Sequence, residues 1–404
     1  MPKNRAILFV LAVIMFDAIG IGLMFPVMPD LLQEVGEVSL GRAAVWGSVM
    51  SMTFAAMQFL FGPLVGALSD RYGRRPVLLV SIGVMALDYV IMGFAHTIWL
   101  LILTRVFGGI TAANQSAGAA VIADLSEPAQ KAANFGLLGA AFGIGFILGP
   151  AIGGFVAELG PRAPFFVAAA AIGTLTVVGY FTFPETLAPE NRRDFDWRRA
   201  NPFGGFKAVT RLAGQARMLV VFWLNEVAFV VYPVIWSFFV IGKFGWEPWL
   251  IGLSLAGFGI SMAFTQGYLI RILVPRIGES RTLVLGLLMQ TVCYAAFALA
   301  PTTGLIFALL PLSALGLLSS PAMQGILSRA APDNAQGELQ GVVTSVRAVA
   351  AVVGPLSMGW LFETFTAEGS VMFFGAPFVA ASCLVAVALL VFLSWRRQAA
   401  LRPA

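Results

Sequence analysis

Long apolar runs separated by short polar segments cover almost the whole of this 404-residue chain. The runs are continuous rather than alternating, which indicates helices and not strands. A helix needs about 20 apolar residues to cross a bilayer, and only helices or closed barrels satisfy every backbone group in lipid. The pattern predicts twelve membrane-spanning helices, near residues 6–28, 43–68, 77–95, 98–122, 134–157, 164–183, 218–240, 249–273, 282–300, 304–327, 339–362 and 371–394.

The longest polar stretch, from Pro184 to about Arg217, divides the predicted helices into two sets of six. We therefore predict an all-α membrane protein with an N-terminal six-helix bundle at 1–184, a cytoplasmic linker at 185–216 and a C-terminal six-helix bundle at 217–404. The first helix begins almost at the N-terminus and lacks a small-residue cleavage site, so we expect it to be retained rather than removed as a signal peptide.

Charge is scarce and unevenly placed. Only 11% of the residues are charged, against about 25% in soluble domains. With the N-terminus inside, the basic residues fall on the cytoplasmic side except for Arg42, Arg162 and Lys243 outside and Arg105 and Arg347 within spans. This distribution follows the positive-inside rule. The net charge of +5 therefore reflects topology rather than binding to nucleic acid, and both termini are predicted to be cytoplasmic.

Residues that would support catalysis or metal binding are nearly absent from the sequence. Cys293 and Cys383 both fall inside predicted spans, and the single histidine, His96, lies in a short loop. This usage predicts neither a disulfide nor a metal site. Because the sequence also lacks a nucleophile–base pair and a phosphate-binding loop, we expect no enzymatic activity and no use of ATP.

The two halves of the chain resemble each other at an offset of 205 residues. The matched positions are Gly73 in "DRYGRRPVLL" with Gly278 in "PRIGESRTLV", Gly136 with Gly341, and Gly149-Pro150 with Gly354-Pro355. A repeat of this length predicts a duplicated six-helix unit. Duplicated halves around a site near the bilayer midplane form the architecture of many secondary transporters.

A cluster of charge interrupts the apolar pattern in "GALSDRYGRRPV", between the second and third spans. One interpretation is a topology anchor, in which three arginines hold the loop inside, but this does not explain Asp70. The other is a latch, in which Arg71, Arg74 and Arg75 pair with Asp124 at the end of span 4, and Asp70 caps or faces the positive N-terminal end of a neighbouring helix in the other half. We refer to these five residues as the latch.

Several motifs resemble those of a known family. "GALSDRYGRRP" resembles the loop signature of the major facilitator superfamily, and "GFILGPAIGG" in span 5 resembles the motif of its drug/proton antiporters. "FDAIGIGLMFPVMP", "FGWEPWLIGLSLAGFGI" and "PAMQGILS" extend the resemblance to the tetracycline/proton antiporters of Gram-negative bacteria. The positions that match residues important in that family are Asp17, Gln58, Asp70, Arg71, Arg74, Arg75, Asp88, Arg105 and Asp124.

This resemblance implies a monomeric transporter of the bacterial inner membrane that exports a tetracycline-like or other amphipathic drug in exchange for protons. It implies no cofactor beyond the proton gradient, although a tetracycline-like substrate would carry its own divalent metal. The substrate is left open because Met262 occupies the position at which the tetracycline antiporters have a functional histidine. The segment "NQS" at 114–116 and Arg347 also depart from the family pattern.

Four charged residues inside predicted spans are candidates for proton coupling: Asp17, Asp88, Arg105 and Glu226. A charge at the bilayer centre costs about 2.5–3.5 kcal/mol on insertion scales, so such residues are functional candidates by default. The alternative interpretation of Asp17 and Glu226 is that they are structural acids that face other helices. The alternative for Arg105 is one member of a structural ion pair. The alternative for Asp88 is a hydrogen bond between two helices.

The candidates for substrate binding are polar, aromatic or soft side chains within spans: Gln58, Asn114, Gln115, Trp236, Met262 and Gln324. Polar residues also hold membrane helices together, and tryptophan is common in the aromatic belts at the membrane surface. Arg347 is expected to extend to the cytoplasmic surface. We expect close helix packing, without ligand binding, at Gly145, Gly149, Pro150, Gly153, Gly154, Gly354 and Pro355.

The sequence is also compatible with two rival functions. A proton-coupled importer of a small metabolite uses the same architecture, and the "GPAIGG" motif disfavours it. A membrane receptor or scaffold that transports nothing requires no buried acids and usually carries a soluble output domain, which the sequence lacks.

Overall fold

The structure is a computed structural model that describes residues 3–112, 114–127, 130–196, 201–203, 215–330 and 336–400, with the side chains of 3, 4, 115, 132 and 398–400 left out of the description. The regular structure within these ranges is helical throughout. The α-helices are α1 (Lys3–Met24), α2 (Met28–Gly36), α3 (Leu40–Tyr72), α4 (Arg74–Gly93), α5 (Ile98–Thr111), α6 (Asn114–Leu125), α7 (Lys131–Val156), α8 (Ala163–Thr182), α9 (Ala216–Phe229), α10 (Val231–Phe244), α11 (Pro248–Phe264), α12 (Ile270–Ile277), α13 (Glu279–Leu299), α14 (Thr303–Ala314), α15 (Ser319–Ala330), α16 (Gln336–Thr366) and α17 (Ala376–Ala400).

Single turns of other helix types connect some of these elements. Three are 3₁₀ turns, at Ala157–Leu159, Pro189–Asn191 and Leu315–Leu318. A π-helix at Thr265–Leu269 joins α11 to α12, so that the two helices form one continuous segment.

The twelve-span prediction is confirmed. Eleven helical segments in the described residues are long and apolar enough to cross a membrane. The twelfth, predicted near 98–122, occurs as α5 and α6, which are separated at Ala112. The side chain of Gln58 donates to the Ala112 carbonyl oxygen at 3.2 Å, so it satisfies a backbone acceptor at this break in the helix.

The chain forms two compact units. The first comprises Met1–Val38, Thr53–Pro202 and Trp246–Ala256, and its core is built from α1 against α7 and α4 against α8. The second comprises Ser39–Met52, Phe203–Gly245 and Gly257–Ala404, and its core is built from α9 and α13 against α17. The domain limits at 184 and 217 stay a prediction.

The 205-residue offset is visible in the local structure of both units. Gly73 precedes α4 with φ 107° and ψ 160°, and Gly278 precedes α13 with φ 79° and ψ 158°. This positive φ is a conformation that glycine adopts without strain. Thr97 caps α5 by accepting from the Leu100 amide, and Thr302 caps α14 by accepting from the Leu305 amide. The equivalent positions therefore perform the same structural tasks.

Candidate functional site

Asp17 and Asn114 meet in the interior of the first unit. The Asn114 Nδ2 donates to Asp17 Oδ1 at 3.2 Å, and the two residues are 9% and 1% exposed. Asp17 thus has a neutral amide as its hydrogen-bond partner, whereas the other acidic candidates within spans have a cation. The sequence suggests Asp17 for proton coupling and Asn114 for substrate binding, and the fold brings the two residues together.

Arg105 and Asp88 form a buried ion pair in the same unit. Arg105 Nη2 lies 2.6 Å from Asp88 Oδ2 and 2.7 Å from the Met92 sulfur. The Arg105 guanidinium also lies 5.6 Å from the centre of the Phe54 ring. Removing one member of a buried pair leaves an uncompensated charge, which is strongly destabilising. The pairing accounts for both residues structurally, and their part in proton coupling stays a prediction.

Tyr89 is a buried residue that sequence analysis did not select. It is 3% exposed and lies within electrostatic range of Asp17, Asp88 and Arg105. Its phenol packs on Gly20, where a Cβ atom would overlap the ring. The signal was present in "LDY" at 87–89, because Tyr89 directly follows Asp88.

Arg74 is the centre of the latch. Its Nη1 lies 2.6 Å from Asp70 Oδ1 and 3.2 Å from the Ser69 hydroxyl, while its Nε lies 3.2 Å from Asp124 Oδ2. The arginine is largely buried, with 11% of its side chain exposed. One guanidinium thereby connects α3, α4 and α6, and the predicted contact between Arg74 and Asp124 is present.

The other two arginines of the latch do not pair with Asp124, contrary to our expectation. Arg75 donates to the Tyr180 carbonyl oxygen at 2.6 Å, and the Arg71 guanidinium lies 5.4 Å from the Tyr72 ring. Successive helical residues point about 100° apart, so Arg74 and Arg75 cannot face the same carboxylate.

Glu185 fixes the start of α4 and was missed by sequence analysis. Its carboxylate accepts from the backbone N–H groups of Arg74 at 2.8 Å and Arg75 at 3.3 Å. Because Gly73 occupies the N-cap position without a side chain to accept these donors, an acid elsewhere supplies the cap. The backbone N–H of Arg193 also donates to the Asp70 carbonyl oxygen at 3.1 Å, so the chain after α8 lies against the latch.

A cavity of about 760 Å³ lies between the latch and this segment. Asp70, Arg74 and Asp124 line one side, and residues 186–193 contribute to the other. The acidic and basic side chains around it are mixed, so the cavity does not select one sign of charge.

The second unit has a counterpart of the latch with its charges reversed. Glu279 and Arg329 form an ion pair. These positions are 205 residues beyond Arg74 and Asp124, so the base and the acid have exchanged places. The signal for this pair lies next to the matched glycines, because Glu279 follows Gly278 as Arg74 follows Gly73.

Glu226 in α9 pairs with Arg347 in α16. Arg347 Nε lies 3.0 Å from Glu226 Oε2, and its Nη2 lies 3.4 Å from Oε1. This contact corrects the expectation that Arg347 extends to the cytoplasmic surface, because an acid within reach supplies a partner inside the span. Nearby, the Ser319 hydroxyl donates to Asn225 Oδ1 at 3.3 Å, and Ser319 is the repeat equivalent of Asn114.

The remaining substrate-binding candidates lie in different environments. Gln58 and Gln324 are exposed, and Met262 is half-buried, three residues before the π-helix. The side chain of Gln115 lies outside the description.

Trp236 lies in the core of the second unit and is 1% exposed. Its ring centre lies 5.3 Å from that of Phe297 and 6.1 Å from that of Phe378. Trp236 is therefore neither a surface on which a ligand stacks nor a residue of the aromatic belt. The reason is that α10 buries side chains around its whole circumference.

The predicted packing glycines of α7 contact another helix directly. Gly145, Gly149 and Gly153, spaced by four residues, lie against the backbone of α1, because this spacing places them on one face. The expected close helix packing at these glycines is therefore present, and the partner helix is α1. Gly154 lies against Pro248.

The equivalent packing positions of the second unit behave similarly. Gly354 lies against Val230, and Gly359, the repeat equivalent of Gly154, lies against Ser48. The two prolines, Pro150 and Pro355, are both buried within their helices.

Comparison with known proteins identifies relatives over nearly the full length. A family model described as Major Facilitator Superfamily matches residues 10–355 and 218–403. Tetracycline resistance protein, class C, of Escherichia coli is 35% identical over 88% of this chain and 89% of that protein. Multidrug resistance protein 1 of Bacillus subtilis is 27% identical over 100% of this chain and 99% of that protein.

The fold is also found among solved structures. A bacterial homolog to the human lysosomal transporter Spinster, in an inward-facing and unoccupied conformation, aligns with a TM-score of 0.77. The alignment covers 98% of this chain and 97% of that one at 17% identity, and it therefore supports the fold alone.

Proposed function

The chain belongs to the Major Facilitator Superfamily, and we propose that it exports amphipathic drugs, tetracyclines among them, in exchange for protons by alternating access. The observation that carries this proposal is the buried carboxyl of Asp17, whose hydrogen-bond partner is the neutral amide of Asn114. A carboxyl without a fixed cation is available to a proton in one state and to a cationic substrate group in the other. Because the proton and the substrate compete for the same carboxyl, export of one is coupled to entry of the other.

The latch provides contacts that can differ between the two conformational states of the transporter. Coupling requires contacts that differ between two states of the protein. The ion pairs of Arg74 with Asp70 and Asp124 hold α3, α4 and α6 together in one state and separate in the other. In this scheme the protein makes and breaks no covalent bond, so we assign it no enzymatic activity.

The same proposal extends to the location, the orientation and the partners of the protein. The chain is a multi-pass membrane protein. The distribution of its basic residues supports both termini in the cytoplasm, and its similarity to proteins of Escherichia coli and Bacillus subtilis supports a bacterial inner-membrane location. Its partners are the substrate, protons and lipid, and it acts as a monomer. A divalent metal, where one takes part, arrives bound to the substrate rather than held by the protein.

Proton flux measured in liposomes tests this function. Purified full-length protein is reconstituted with a pH-sensitive dye inside, and tetracycline with Mg²⁺ or ethidium is added under an imposed pH gradient. We expect at least one drug to stimulate proton flux, with none in protein-free liposomes. If neither drug stimulates flux in folded protein, drug/proton antiport by this chain is excluded for both compounds and the proposal fails.

The substrate range is predicted to extend beyond metal chelates of tetracycline, because Met262 stands where the tetracycline antiporters have a histidine. We expect Met262→His to raise tetracycline resistance relative to ethidium resistance, because it adds a metal-binding imidazole. Susceptibility of an efflux-deficient bacterium expressing each variant measures this. Strong tetracycline resistance that neither Met262→Ala nor Met262→His changes would show that the histidine is dispensable here.

A further inference from the structure

The ion pair of Glu226 and Arg347 lies near the middle of its two spans. The segment Ala216–Phe244 has 29 residues, and Glu226 lies four residues before its midpoint. The segment Gln336–Thr366 has 31 residues, and Arg347 likewise lies four residues before its midpoint. Both charges are therefore placed within their spans, where lipid disfavours ionised groups.

Arg347 is nevertheless exposed, with 48% of its side chain accessible. It shares one face of α16 with Gln340 and Thr344, which are also exposed, because residues spaced by three and four positions line the same side of a helix. A lipid-facing stripe at this position would be apolar. A row of exposed glutamine, threonine and arginine is instead suited to face water.

The contacts of the guanidinium leave one edge available. Two N–H groups, on Nε and Nη2, point to the two oxygens of Glu226, out of the five that arginine carries. The Phe222 ring lies 5.4 Å from the guanidinium carbon and restrains the plane of the group. The outer edge, formed by Nη1 and Nη2, has the geometry that binds two oxygens of a planar anion.

We propose that Arg347 binds a carboxylate or enolate group of the transported substrate, with Glu226 holding the guanidinium in position. This inference rests on the proposed function and adds the chemical class of one substrate group. Glu226 neutralises the arginine when no substrate is bound, so the pair is stable in the span. It also moderates the affinity for anions, which allows the substrate to leave.

A matched pair of fluorescent probes tests the proposal by direct binding. Dansylglycine carries a carboxylate, and dansylglycinamide carries a neutral amide on the same scaffold. We expect the full-length protein in nanodiscs to bind the carboxylate about tenfold more tightly, the effect of one charge-assisted hydrogen bond. Arg347→Gln should remove this preference while binding of the amide remains. Equal binding of the two probes by the wild-type protein, or binding of neither, overturns the proposal.

Three further variants keep the test decisive if Arg347→Gln fails to fold. Glu226→Gln releases the guanidinium and should strengthen binding of the carboxylate. The double variant Glu226→Gln/Arg347→Gln contains no unpaired charge and should bind both probes equally. Arg42→Gln breaks a comparable exposed pair in the same unit, in which Arg42 Nη1 lies 3.0 Å from Glu363, and should change nothing.

The outcome is separable from that of the proton-flux experiment. Loss of carboxylate preference in Arg347→Gln supports this inference even if no drug drives proton flux. A preference that persists in the double variant overturns it even if drug/proton antiport is established.

Discussion

Asp17→Asn is expected to reduce proton-coupled export to the background level while the protein stays folded in the membrane. The substitution keeps the size of the side chain and its ability to bond with Asn114, which now lies 3.2 Å from Asp17 Oδ1, but removes the site that binds and releases a proton. Drug-stimulated proton flux in liposomes measures the loss. The yield and monodispersity of the purified variant show whether it has folded.

A second carboxyl in the same half provides the control. Asp30 in α2 lies outside the candidate spans, and burial raises the pKa of its carboxyl. A pH dependence of transport that arises from Asp30 would therefore be lost in Asp30→Asn, whereas one that arises elsewhere would persist in that variant. We expect Asp30→Asn to retain export. Wild-type efflux by Asp17→Asn would disprove the assignment of Asp17.

Arg74→Lys and Asp70→Asn are each expected to impair transport and to favour the state that is open to the cytoplasm. Arg74 contacts Asp70 at 2.6 Å and Asp124 at 3.2 Å through different nitrogens, and the single ammonium of lysine cannot reproduce this fork. Loss of one charge-assisted hydrogen bond costs about 1.5–3 kcal/mol. Such a change moves a balanced two-state equilibrium to roughly 90:10 or beyond.

Accessibility of introduced cysteines from the cytoplasmic side measures this shift. It should rise in both latch variants, with normal insertion into the membrane. Arg162→Lys is the control, because Arg162 is an arginine of the same unit that pairs with an acid outside the latch, its Nε and Nη2 both contacting Glu34 Oε1. It should leave accessibility unchanged. If Arg74→Lys and Asp70→Asn change neither accessibility nor transport, the cluster is only a topology anchor.

The number of spans and the repeat could be predicted because both depend on features that are local in sequence. Span length follows from the thickness of the bilayer, and the glycines at 73 and 278 mark equivalent helix starts. Side-chain pairing is different, because it depends on which helix faces meet. The contacts of Glu185 with α4 and of Glu226 with Arg347 join residues more than a hundred positions apart.

Trp236 shows a second limit. In a soluble helix the contrast between apolar and polar faces indicates which side is buried. Helix α10 is apolar on every side, so its sequence does not distinguish a residue that faces lipid from one in the core. The aromatic cluster around Trp236 became apparent only from the fold.

The ion pairs of Arg74 with Asp124 and of Glu279 with Arg329 have opposite charges at equivalent positions, and this constrains how the two halves diverged. If both descend from one ancestral unit, the positions now occupied by Arg74 and Asp124 and by Glu279 and Arg329 once held the same residues. A single charge reversal at either position places two like charges face to face. The evolutionary path therefore passed through a neutral residue or a paired change. A chimera made from two copies of one half would have the same base and acid positions in both halves, and so would lack the reversed ion pair of one of them.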